Sequence, residues 1–163
     1  MADYGRPVRF GVFPSPAAAK IPETLAICDV ADRGGLDLIG IQDHPYQAAF
    51  ADTWALLGRV LARTERVHVF PDVACLPLRP PAVLAKTAAS LDLLSGGRFE
   101  LALGAGAFWP AIAAMGGPSR TPGEAGRALA EAIDVIRLMW SGQRAVRYAG
   151  EQYRLDGVHP GPR

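Results

Sequence analysis

An α/β fold of parallel strands wrapped by helices is what this sequence predicts, and three observations predict it. Apolar strand-like stretches alternate with helix-like ones, so the chain reads as four βα units with no repeat in sequence. The second strand-like stretch, Leu36 to Gln42, is nearly unbroken in apolar character, as a strand is when helices cover both faces of its sheet. The stretch from Leu91 to Gly106, LDLLSGGRFELALGAG, passes from a helix end through a double-glycine stop and a short strand into a glycine turn. Two architectures accommodate such a run: a doubly wound sheet, or a (β/α)8 TIM-type barrel of which about the first four βα units are present.

Each element has its own local reason. Val8 to Phe13 is the first strand, ended by Pro14 and Pro16. Pro22 followed by Glu23 suits the first turn of a helix that runs to about Arg33 and stops at Gly34-Gly35. Leu36 to Gln42 ends in Asp43-His44-Pro45. Asp52 or Thr53 caps a second helix with Trp54, Leu57 and Leu61 on one face. Arg66 to Phe70 starts the third strand, and PDVACLPLRPP after it carries four prolines and is expected to be irregular. Pro81 opens a third helix with Val83, Leu84, Thr87, Ala88 and Leu91 at helical spacing, and Gly96 and Gly97 can take the left-handed conformation that ends it. Arg98 to Leu103 then alternates, with Phe99, Leu101 and Leu103 on one face and Arg98, Glu100 and Ala102 on the other.

AFWPAIAAMGGPSR reads as a long loop. Thr121-Pro122-Gly123-Glu124 combines a capping box with proline at the first helical position, and Leu129, Ala132, Ile133, Ile136 and Met139 form the apolar face of the helix that follows. Trp140-Ser141-Gly142 closes that helix. Val146 to Leu155 reads as a hairpin turning at Ala149-Gly150, and GVHPGPR is a terminal loop.

Composition narrows the function classes. At 163 residues, positions 1–163 are expected to form one domain, and the half of the residues that are hydrophobic are ample for a core. A complete barrel takes roughly 200 residues or more. Net charge is +1 with acids and bases mixed, which leaves no electrostatic footprint for nucleic acid or an anionic membrane surface. No apolar run approaches the ~20 residues that span a bilayer, and the N-terminus lacks a signal-peptide core. Cys28 and Cys75 lie far apart and read as free thiols in a reducing cytoplasm. His44, His68 and His159 have no ligand spacing, so no metal site is expected. The glycine turn follows the fourth strand rather than the first, which argues against a dinucleotide-binding fingerprint.

Candidate chemistry gathers at strand ends. Asp43-His44 sits at the C-terminal end of the second strand, the catalytic face of a barrel, where an imidazole can donate or accept a proton near neutral pH. The plainer alternative is a histidine that only hydrogen-bonds within its loop. Asp72-Val73-Ala74-Cys75 ends the third strand; an aspartate there binds a polar ligand edge or caps a turn. Cys75 has no neighbouring base to make it a nucleophile, and a hydrolase using Asp43 and His44 would lack one too. Gly104-Ala105-Gly106 has no bulky side chain, so a ligand can approach its backbone. Arg79 and Lys86 read as solvated charges, and Glu100 as an interior carboxylate paired with a neighbour.

Taken together, RFGVFPSP, GLDLIGIQDH, CLPLRPPAVLAKTAASLDLLSGGRFELALGAG, LMWSG and YRLDG resemble the bacterial-luciferase-like oxidoreductases, with the coenzyme-F420-dependent, actinobacterial-type branch the nearest. The resemblance implies a (β/α)8 barrel of which this chain is the N-terminal half. It implies F420, or alternatively FMN, at the C-terminal face, with hydride transfer to or from a small-molecule substrate, or oxygen activation as in a monooxygenase. By the same resemblance His44 is the acid/base beside the cofactor ring and Asp43 touches the cofactor. Asp72-Val73 carries a cis peptide behind the ring, and Cys75, Gly104, Ala105 and Gly106 are cofactor contacts. Members that oxidise sugar phosphates have a glutamate directly after this glycine turn and an asparagine three residues later. Ala107 and Pro110 stand there instead, which argues against that substrate class. Half a barrel also implies association with a second copy or a complementing half. The alternative function is therefore a non-catalytic half-barrel that survives by that association.

Overall fold

Strand order separates the two architectures. In the computed structural model, which describes Gly5 and residues 7–162, β1 (Gly11–Val12), β2 (Leu38–Ile41) and β3 (His68–Pro71) form one parallel sheet in chain order. Gly11 pairs with Leu38, and Leu38 in turn with His68. The third strand continues as β4 (Ala74–Cys75), which pairs in parallel with β5 (Leu103–Gly104). Below β5, Val69 bridges Phe99: the Val69 amide donates to the Arg98 carbonyl at 2.9 Å and the Glu100 amide to the Val69 carbonyl at 3.0 Å. The order is thus one, two, three, four without the reversal that defines a doubly wound sheet. It is an arc of a (β/α)8 barrel.

Helices α1 (Ile21–Arg33), α2 (Thr53–Leu61), α3 (Pro81–Ser95) and α5 (Pro122–Met139) follow the four strands in turn. Their caps are those the local chemistry dictates. Asp52 Oδ1 accepts from the Trp54 and Ala55 amides at 3.0 and 3.1 Å. Thr121 and Glu124 form a complete capping box, and Gly96 takes φ +71° at the end of α3. Ile39, Ile41 and Val69 are fully buried in one core with Leu57 and Val60 of α2 and Leu84 of α3. Each such side chain contributes roughly 1.5–3 kcal/mol. Asp43, Asp72, Cys75 and Gly104 therefore emerge together at the C-terminal rim of the arc.

Several elements differ from the sequence reading. The first strand keeps only Gly11–Val12 in the ladder and leaves Phe10 and Phe13 exposed; among the described residues it pairs with β2 alone. PDVACLPLRPP is more regular than its prolines suggest. Pro71 ends β3, and Pro77 sits in the first turn of a 3-10 turn over Leu76–Leu78, where no amide donor is required. The expected long loop after β5 contains α4 (Trp109–Ala114), with Pro110 in its first turn and Ile112 fully buried. Six residues are too few for a periodic signal. The hairpin of β6 (Val146–Ala149) and β7 (Arg154–Val158) turns later than Ala149-Gly150, because the Glu131 carboxylate of α5 collects the amides of Glu151, Gln152 and Tyr153. Glu100 behaves as expected, paired with Arg9 at 2.6 and 2.9 Å and lying 3.0 Å from His68.

Asp32 closes the bottom of the arc. Burial pushes its carboxyl up, but the amides of Glu65, Val67 and Arg66 donate to it and together hold it below the usual carboxylate range. A carboxyl whose folded pKa is depressed adds stability above its unfolded pKa of ~3.9 and loses it as pH falls through the folded value. Urea unfolding between pH 5 and 2 is expected to show this decline in the native protein and a shallower one in Asp32→Ala. Equal slopes would remove Asp32 from the acid limb.

Candidate active site

At the C-terminal rim, Asp43, His44, Tyr46, Val73, Ala74, Cys75 and the turn Gly104 to Ala107 line an open cleft of about 200 Å³. That is less than the roughly 300–1,000 Å³ of a typical small-molecule site. His44 is half-buried, stacked on Tyr46 with centroids 5.5 Å apart and planes 16° apart, and meets the edge of Phe108 at 6.1 Å. Tyr46 and Phe108 complete an aromatic trio at 5.9 Å. The imidazole thus stands at the cleft wall with its ring orientation set by neighbours rather than by a carboxylate.

Asp43 does not share that freedom. Its side chain is 0% exposed and its oxygens are taken up by the protein. Oδ2 accepts from Trp54 Nε1 at 3.2 Å, the Cys75 amide at 3.0 Å and Arg79 Nε at 2.7 Å, while Oδ1 accepts from Arg79 Nη2 at 2.7 Å. Arg79 also reaches Asp52 at 2.8 Å and lies over the Trp54 ring. Burial opposes its charge, and the hydrogen bonds to Asp43 and Asp52 outweigh that and keep it protonated. For Asp52, burial pushes the carboxyl up, and Arg79 with the helix amides brings it below its usual range. One guanidinium therefore links the end of β2 to the start of α2, and Asp43 joins both to the backbone of β4. The sequence reading of Arg79 as a solvated charge is corrected: no spacing pattern connects it to a partner 36 residues earlier.

The rest of the cleft is shaped by close packing. The Asp72–Val73 peptide is cis, between β3 and β4, and presents Val73 at 40% exposure on the cleft floor. Asp72 itself lies beside the cleft, its side chain against Gly40 of β2. A Cβ on Gly104 would stand 2.5 Å from Val73 Cγ2, and one on Gly106 2.6 Å from Pro77 Cγ and 2.8 Å from the Trp109 ring. Protein atoms thus already fill the space beside both glycines. The Cys75 thiol is pushed up by burial and then by Asp43, the opposite of what a nucleophile requires.

Of the residues picked from sequence, Asp43, His44, Val73, Cys75, Gly104, Ala105 and Gly106 come together, and Asp72 borders them. Tyr46, Phe108 and the Arg79–Asp52–Trp54 group were missed. Tyr46 was within reach, two residues past His44 on the same strand-end loop. Phe108 was hidden because α4, which it caps, was read as loop.

A family model described as luciferase-like monooxygenase matches residues 6–163. The chain belongs to this family. Luciferase-like relatives include an F420-dependent glucose-6-phosphate dehydrogenase of Kineococcus radiotolerans, 34% identical over 161 residues, which cover 93% of this chain and 46% of that protein. The 4-hydroxyprotoasukamycin monooxygenase of Streptomyces nodosus is 26% identical over 91% of this chain and 42% of its own length. Among solved structures, an F420-dependent secondary alcohol dehydrogenase in complex with an F420-acetone adduct superposes with TM-score 0.80 at 26% identity, over 94% of this chain and 49% of that one. The luciferase-like chain thus spans about half the length of the relatives it matches, and it corresponds to the N-terminal half of their barrel. Among its described residues no helix is long and apolar enough to cross a membrane, and no group of three His, Cys, Asp or Glu side chains could hold a metal.

Proposed function

We propose that this luciferase-like arc carries the acid/base half of an F420- or FMN-dependent oxidoreductase site, with F420 the favoured cofactor. The supporting observation is the half-buried His44 imidazole on an aromatic wall, at the strand-end cleft floored by Val73 and the Gly104–Gly106 turn. A flat ring fits these residues: small Ala74 and Ala105 leave a shallow face, and Val73 stands behind it. The cofactor, when bound, supplies hydride or activates oxygen; the protein supplies position and a proton. His44 holds or moves that proton. Asp43, its carboxylate taken up by Arg79, Trp54 and the Cys75 amide, fixes the backbone on which His44 and Cys75 sit. Ala107 and Pro110 in place of an acid and an amide favour a substrate other than a sugar phosphate. Residues 1–163 form the N-terminal half-barrel of one luciferase-like domain, and two buried free thiols suit a cytoplasmic setting.

The test is equilibrium titration of F420 and FMN with the protein and its His44→Ala variant. F420 is expected to bind more tightly than FMN, weakly to a single arc because the cleft is small. His44→Ala is expected to leave affinity nearly unchanged while lowering turnover of the assembled enzyme by ~10²-fold or more. Tighter FMN binding would move the protein to the flavin branch. Full turnover in the variant would remove His44 from proton transfer. A second reading, a non-catalytic half-barrel, is favoured by a cleft of only about 200 Å³; failure of both cofactors to bind at any protein concentration would select it.

A further inference from the structure

We propose that Arg79 is a positioning residue for the His44 site: it neutralises Asp43 and, through that carboxylate, holds the two walls of the cleft together as one charge-balanced unit. The assignment rests on the reading of His44 as the proton-transfer group, but its readout needs neither cofactor nor turnover, so the two can fail separately.

Asp43 immediately precedes His44 in the chain. Its carboxylate accepts from Trp54 Nε1, the Cys75 amide, Arg79 Nε and Arg79 Nη2. These donors match the roughly four acceptor sites of a carboxylate. None is left over for a ring in the cleft, so Asp43 acts through the groups it holds rather than by touching a cofactor. Cys75 pairs with Gly104 across β4 and β5. One carboxylate thus ties the end of β2, which carries His44, to the strand that carries Cys75 and the glycine turn. The Asp43 side chain has no exposed surface. Its donor set is therefore complete within α2, β4 and the turn before α3, and the edges of the sheet take no part in it.

An unpaired carboxylate next to an acid/base histidine would favour the imidazolium and hold back the proton. The Asp43 charge does reach the cleft. At Cys75 burial pushes the thiol up first and Asp43 adds to it, while Arg79 opposes. At Tyr46, the ring stacked on His44, burial again comes first, followed by Cys75 and Asp43. Arg79 is the counter-charge: its Nε and Nη2 each meet Asp43 at 2.7 Å. Its other partner, Asp52, is half exposed, so water screens that charge. The remaining ionisable groups around the imidazole are Tyr46 on its own loop, Cys75 on β4 and Asp72 between β3 and β4. Phe108, which caps α4, brings no charge. Among the described residues at the cleft, only Arg79 carries a positive charge against Asp43.

The test follows the ring signals of the three histidines by NMR through a pH titration of the protein and its variants. Arg79→Met leaves the Asp43 charge unpaired and is expected to move the His44 midpoint up. Asp43→Asn leaves the guanidinium without its buried partner and is expected to move it down. The double variant removes both charges and is expected to return the midpoint to the native value. Arg79→Lys keeps the charge, so its midpoint should stay near native even where it recovers only part of the stability. His68, beside Glu100, and His159, beside the Arg144 carbonyl, lie apart from this cluster and should not move. A structural clamp alone predicts lost stability in both single variants but not shifts of opposite sign. Spectral dispersion reports folding, and where one single variant does not fold, the other and the double variant decide. A His44 midpoint that stays put in a folded single variant, moves the same way in both, or departs from native in the double variant would overturn the proposal.

Discussion

Replacing Arg79 with alanine is expected to lower unfolding stability by ~3–5 kcal/mol, as does removing one partner of a buried ion pair. The cost does not come from the pair's attraction alone. Asp43 is fully buried, and without the guanidinium its carboxylate keeps only the Trp54 indole and the Cys75 amide as donors. Two of the four hydrogen bonds of a carboxylate with no exposed surface are lost. Asp52→Ala breaks the other arm of the network and a helix cap, but Asp52 is half exposed, so about 1 kcal/mol is expected there. Lysine at position 79 should rescue only part of the loss, because a point charge cannot engage Asp43 through two parallel bonds. Asp43→Asn combined with Arg79→Met should recover most of it, since no buried charge is then unpaired. Chemical denaturation of the four variants measures the series. A loss below about 1 kcal/mol for Arg79→Ala would show that the carboxylate finds other donors, and the clamp would lose its place in the site.

Gly106→Ala is expected to cost ~2–5 kcal/mol, the sum of backbone strain and overpacking. The residue sits at φ +102°, outside the region open to other side chains, and the added methyl would meet Pro77 and Trp109 at well under contact distance. Pro77 lies in the 3-10 turn leading to Arg79, and Trp109 begins α4, so neither can retreat freely. Gly104→Ala is the informative comparison. Its methyl would clash with Val73 Cγ2, the tip of an exposed side chain that can rotate away, and would stand in ordinary contact with the Ala74 carbonyl at 3.4 Å. A cost of ~0.5–1.5 kcal/mol is expected for that rotation, together with a changed cleft floor. Thermal unfolding of both variants decides it; a Gly104 variant less stable than the Gly106 variant would reverse the assignment of which glycine is held by packing.

The two glycines show how local pattern and tertiary contact divide the explanation. GAG after a short strand was legible as a bare turn, and the structure places it at the rim where such a turn belongs. What the bareness is for was not legible. From sequence it looked like room for a ligand; in the fold Val73, Pro77 and Trp109 hold the space a Cβ would take, while the turn still lines the cleft. The same holds for Glu100. Alternation put it on the lumen side, but its partner Arg9 lies 91 residues earlier and is chosen only when the first and fourth strands share one arc.

Caps, glycine stops and the helix faces of α2 and α5 were readable from the chain alone, because each depends on residues within about one or two turns of one another, whereas Val83, expected among the apolar positions of α3, is 61% exposed. So was the strand-end position of Asp43-His44, which follows from counting βα units. Tertiary structure decided three things that no local pattern encodes. Sequential strand order made the units an arc of a barrel. The short helix α4 formed because Ile112 found a buried place, not because six residues prefer a helix. Arg79 became a clamp rather than a surface charge because Asp43 at the end of β2 and Asp52 at the cap of α2 converge on it, Asp43 also holding the backbone of β4. Local chemistry specifies the elements and their ends; which charge is desolvated, and by whom it is paired, depends on residues tens of positions apart that only the closed curvature of the sheet brings within hydrogen-bond distance.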